Sequence, residues 1–151
     1  MAILKIVKKD TDEAFLRRKS REVEEITPRI KTLLDDMVET MRHANGCGLA
    51  AVQVGVLRRV VVIETDEGLF ELINPKIIAM AGTQESEEGC LSLPGEWGII
   101  KRPMYVTARA LNRDGKEIEI RAEGLLAKAI CHELDHLDGI LYTDKTVKAS
   151  K

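Results

Sequence analysis

The chain is 151 residues long, enough for one hydrophobic core, and its 44% apolar and 32% charged residues are in the usual proportion for a globular protein. Only 3% is aromatic, so the core must rest on Ile, Leu, Val, Met and Ala. A formal net charge of -2 gives no electrostatic reason to expect nucleic acid or an acidic membrane as main partner, and no apolar run reaches the length of a membrane span.

The start, MAILKIVKKD, lacks the long apolar stretch and small-residue cleavage site of a signal peptide, and residues 3–7 are expected to form a short strand. TPRIKTLLDDMVETMRHANG reads as an amphipathic helix. Thr27 can cap it, Pro28 suits its first position, and Asn45-Gly46 suits its exit. Ile30, Leu33, Leu34, Met37, Val38 and Met41 form one stripe at helical spacing.

The middle of the chain reads as β-structure. RRVVVIE, LFELINP, KIIAMAG, PMYVTARAL and KEIEIRA are short runs rich in β-branched residues, parted by Gly, Asn, Asp or Pro, and RDGK at 113–116 is a hairpin signal. In AEGLLAKAICHELDHLDG the period returns to helical, with Gly139 as the stop. No repeat, low-complexity tract or linker divides the sequence. The expectation is one α+β domain over residues 1–151: mixed, mostly antiparallel β-structure around a C-terminal helix, with an amphipathic helix near the N-terminus.

Cys47, Cys90 and Cys131 are odd in number and form no CxxC pair, as expected of single thiols in a reducing cytoplasm. In CHELDH, His132 and His136 lie about 40° apart on a helix and about 6 Å along it, so both imidazoles can reach one ion. Glu133 sits about 100° round from His132, placed to approach a water rather than the ion. Asp135 is either a solvated charge or an acceptor that orients a ligand histidine. Cys131 points away from His132 and reads as packing.

Two histidines are an incomplete ligand set. LDGILYTDKTVKASK, which follows His136, holds neither Glu nor His, so the downstream third ligand of the familiar HExxH peptidases is absent. His43, Cys47 and Cys90 are the upstream candidates, and a thiolate with two imidazoles fits zinc. A closed, purely structural metal site is the non-enzymatic alternative.

Three stretches taken together, GCGLAAVQ at 46–53, EGCLS at 88–92 and HELDH at 132–136, closely resemble the peptide deformylase family. The resemblance spans essentially the whole chain. It implies removal of the formyl group from the N-terminal methionine of nascent polypeptides, with release of formate. It assigns Cys90 as third metal ligand beside His132 and His136, Glu133 as general base and then acid, and Gln53 with the Leu91 backbone N–H as donors to the oxyanion. Gly46, Gly48 and Gly89 would lie along a peptide bound as an added strand. Leu125 and Ala129, with Cys47 a weaker candidate, are geometric choices for a methionine pocket. Arg102 is either a peptide-positioning group or a solvated charge.

The resemblance points to Fe2+ as the physiological ion, with Zn2+, Ni2+ or Co2+ able to replace it. It also points to a monomer in a bacterial cytoplasm. The sequence departs from the family pattern at Cys131, commonly Gln, and at Val52, often Pro or Thr. It also has no long C-terminal helix of the kind some members use at the ribosome.

Overall fold

The computed structural model describes residues 2–150. Residues 3–7 are extended but join no ladder. Leu4 N–H donates to Thr40 Oγ1 at 2.8 Å and Val7 N–H to the Gln53 carbonyl at 2.7 Å, so the expected strand is instead a strap across a helix and a turn. An unforeseen short helix, α1 (Lys9–Leu16), follows and buries Leu16. The expected amphipathic helix is α2 (Pro28–His43). Thr27 Oγ1 accepts from Ile30 N–H at 3.4 Å, and Asn45 leaves the helix at φ 57°.

Strands β1 (Gly48–Ala50), β2 (Val60–Thr65) and β3 (Gly68–Ala81) come next. LFELINP and KIIAMAG, read as two strands, run on as the single β3, whose pairing register shifts between Ile73 and Lys76, around left-handed Asn74. Then come β4 (Gln84–Cys90) and β5 (Leu93–Arg102), both unforeseen, and β6 (Tyr105–Leu111) and β7 (Glu117–Glu123), joined by the expected hairpin turn with Gly115 at φ 79°. Helix α3 (Leu125–Leu137) carries the two histidines, and β8 (Thr146–Ser150) closes the described chain.

The strands form two sheets, in the orders β1-β2-β3-β6-β7 and β4-β5-β8. Every pair of named strands is antiparallel. Parallel pairing is confined to one isolated bridge, Arg21 to Arg58. In VVVIET, β2 buries both faces. Val61 and Ile63 join the cluster around α3, while Val60 and Val62 join the cluster around α2. Helices therefore cover both sides of the larger sheet at its β1 end, and α3 is wedged where the two sheets meet. No described helix is long and apolar enough to cross a membrane.

The stop after α3 is tightly packed. Gly139 has φ 75°, and a Cβ there would overlap the Arg17 carbonyl, with the carbonyl carbon only 2.7 Å away. Gly139→Ala is expected to cost about 2–4 kcal/mol from backbone strain plus overpacking. Thermal unfolding should show a melting temperature roughly 5–15 °C lower. An unchanged melting temperature would mean that the α1–α3 junction opens without cost.

Candidate active site

Cys90 stands at the end of β4, and His132 and His136 on one side of α3. Cys90 Sγ lies 3.2 Å from His136 Nε2, and the ligand atoms of the three residues lie within 4.8 Å of one another. A tetrahedral ion with bonds of 2.0–2.3 Å needs donors about 3.5 Å apart, so the set fits a zinc- or iron-like ion. Among the described residues this group has three members, which leaves a fourth position for water or substrate. The other upstream candidates are elsewhere: His43 is exposed at the end of α2, and Cys47 is on the cleft wall.

His132 is fixed from behind. Its Nδ1 lies 2.8 Å from Glu88 Oε1, which turns Nε2 toward the cluster. Alternation along β4 points Ser86 and Glu88 inward, although ESEEGC carries little strand propensity. Ser86 Oγ donates to Glu88 Oε2 at 2.7 Å, and Arg102 grips both Glu88 oxygens through Nε and Nη2 at 2.9 Å. Arg102 Nη1 donates to Asp135 Oδ2 at 2.7 Å, and Lys145 Nζ lies 3.1 Å from that same oxygen. Burial alone would raise the Glu88 carboxyl, but the hydrogen bonds from Arg102 and His132 outweigh it and hold its pKa at about 2.

Arg102 is therefore not a solvated charge, and it lies outside the lining of the catalytic cleft. It is 3% exposed and locks the carboxylate that orients His132. Among the described residues Asp135 bonds to no histidine, and it meets the site through Arg102. Glu88 lies within EGCLS, whose residue types alone give it no role. An acid two residues before the cysteine of that motif is the signal that could have found it.

Glu133 is 5% exposed and its Oε1 has no hydrogen-bond partner. Burial pushes its pKa up to about 7, against the pull of His132. Gln53, 1% exposed, accepts from Ala50 N–H through Oε1 and donates from Nε2 to Ser92 Oγ at 3.1 Å and Cys90 Sγ at 3.4 Å. A cleft of about 450 Å3 opens over the cluster. Of the residues that the resemblance and the pocket geometry assign to the site, all but His136 line it. Gly46 and Gly48 form one wall; Gly89, Cys90 and Leu91 the other; Leu125, Ala129, His132 and Glu133 come from α3, with Gln53 alongside. β1 and β4 are each the last strand of their sheet, so the cleft runs between two edges.

The polypeptide deformylase family model matches residues 3–151. The chain belongs to that family. A peptide deformylase of Alkaliphilus metalliredigens is 56% identical over 145 residues, covering 96% of this chain and 98% of the relative. Among solved structures, the Thermotoga maritima peptide deformylase superposes with a TM-score of 0.91 at 34% identity, over 95% of this chain and 97% of that one. The Ehrlichia chaffeensis peptide deformylase in complex with actinonin gives 0.92 at 39%, over 98% and 91%. The peptidase and closed-site alternatives fall away for this deformylase.

One wall of the deformylase cleft touches the acid directly. A Cβ on Gly48 would overlap Glu133 Oε2 and come within 3.0 Å of its Cδ. Gly48→Ala is expected to shift that carboxylate by about 1 Å and lower kcat/KM roughly 100-fold, with metal content retained. Parental kinetics in a metal-loaded Gly48→Ala protein would show that the exact seat of Glu133 is unimportant.

Proposed function

We propose a residue-level division of labour for the reaction, the hydrolysis of the formamide at an N-terminal formyl-methionine to formate and a free amine. Cys90, His132 and His136 hold one divalent ion, with Fe2+ the physiological choice and Zn2+, Ni2+ or Co2+ as substitutes. When bound, that ion would supply Lewis acidity. Glu133 takes the proton from the attacking water through its unpartnered oxygen, then delivers it to the departing amine nitrogen. Gln53 turns the Nε2 proton that now faces Cys90 Sγ toward the oxygen on which charge develops, and the Leu91 N–H assists.

The edges of β1 and β4, at Gly46, Gly48 and Gly89, bond the peptide main chain as an added strand. Leu125 and Ala129, with Cys47 and Leu91, receive the methionine side chain. Residues 1–151 act as one catalytic domain and as a monomer. It works in the bacterial cytoplasm on nascent chains near the ribosome, without recognising nucleic acid sequence.

The observation that carries this reading is a buried carboxylate with a free oxygen, set between a three-donor cluster and a cleft wall of glycine. The test is formate release from formyl-Met-Ala-Ser by protein prepared without oxygen and loaded with Fe2+, alongside a Zn2+-loaded sample. Rapid release, blocked by a peptide hydroxamate and faster with iron, is expected. No release from protein shown to hold its ion would overturn the site assignments, and equal rates with both metals would overturn the choice of iron.

A further inference from the structure

A second cavity, of about 510 Å3, lies behind the metal site, between the β3–β5 side of the protein and α3. Arg59, Lys76, Lys101, Arg102 and Lys145 line it, against only two carboxylates, Asp135 and Asp138. Both carboxylates are engaged: Asp135 by Arg102 and Lys145, and Asp138 by Arg59 at 3.0 Å. Lys76 and Lys101 make no ion pair among the described residues, and both are exposed. In a chain of net charge -2, this is a concentrated positive surface within a concavity. The remaining wall is apolar, with Ile77, Leu134 and Pro103, and Met80 at its lip is 61% exposed.

Two unpaired ammonium groups beside an apolar wall match a ligand with an anionic head and an aliphatic tail. We propose that this cavity is a second ligand site, for an aliphatic carboxylate, whose occupancy is felt at the metal. The head group lies between Lys76 and Lys101, and the tail lies along Ile77, Met80 and Leu134. The link to the metal needs no large motion. Arg102 and Asp135 line this cavity, and the same Arg102 holds Glu88, which holds His132.

The experiment uses cobalt-loaded protein whose catalytic cleft is saturated with a peptide hydroxamate, so that a carboxylate cannot bind through the ion. Titration with octanoate, followed by calorimetry and by the visible spectrum of the cobalt, is expected to saturate at one equivalent and to shift the spectrum. Octanol and inorganic phosphate, tail without charge and charge without tail, should bind at least about tenfold more weakly. Lys76→Glu and Lys101→Glu, both at exposed positions, should each weaken octanoate about tenfold or more. Three results would overturn the site: no binding while the hydroxamate is present, affinity unchanged in both variants, or equal binding of octanol. Binding that leaves the cobalt spectrum unmoved would overturn the link to His132.

Discussion

Glu133→Ala protein, loaded with metal, should keep its ion and lose roughly 100- to 10,000-fold in kcat, the usual contribution of a positioned acid–base group. The three residues proposed to hold the ion are Cys90, His132 and His136, and among the described residues none of them bonds to the Glu133 carboxylate. Its removal therefore takes away the proton carrier without loosening the ion. KM should change little, because the peptide contacts proposed for the β1 and β4 edges are main-chain contacts. Glu133→Gln keeps the shape and should be as inactive as the alanine variant, which separates proton transfer from packing. Metal analysis and single-turnover formate release on the same samples are the measurements. Full turnover in either loaded variant would remove Glu133 from the chemistry.

Arg102→Leu carries the second large effect, and it acts on stability and metal together. The substitution leaves the Glu88 carboxylate, 7% exposed, without its bidentate partner in a place that water barely reaches. Breaking one side of a buried ion pair costs about 3–5 kcal/mol. Loss of the group that orients a ligand histidine weakens metal binding by about 10- to 100-fold. Arg102→Lys keeps the charge but cannot bond both Glu88 oxygens and Asp135 at once, so it should fall between the two. Denaturant midpoints of the loaded proteins, and competition for the ion against a chelator, read the two effects separately. Parental values in both would mean that Ser86 and His132 suffice to hold Glu88.

Helices α2 and α3 were legible because their signals are local; α1, eight residues with no side-chain cap, was not. Thr27, Pro28 and Asn45 mark the ends of α2 in the sequence as in the structure, and the stripe from Leu34 to Met41 is buried as its spacing implies. The pair of β4 and β5 was not legible. ESEEGC is acidic and LPGEWG is broken by Pro and Gly, so neither carries the β-branched pattern of a strand. They pair because cross-strand partners and the core beneath them override propensity. Glu88 and Arg102 show the same limit at the site: their roles come from contacts 14, 33 and 44 residues apart, which no local pattern encodes. Motif order points to Cys90 beside the two α3 histidines, and the geometry of α3 explains why the two histidines belong together.

The cleft between β1 and β4 has a consequence for timing. A pair of sheet edges can accept only a chain whose own N–H and C=O groups are still unclaimed. A terminus already wound into a helix, or tucked into a hairpin, has nothing to offer them. With the peptide added as the proposed strand, the reaction competes with the folding of its own substrate. Proteins whose first residues fold early should keep their formyl group longer than those whose leading segment stays loose.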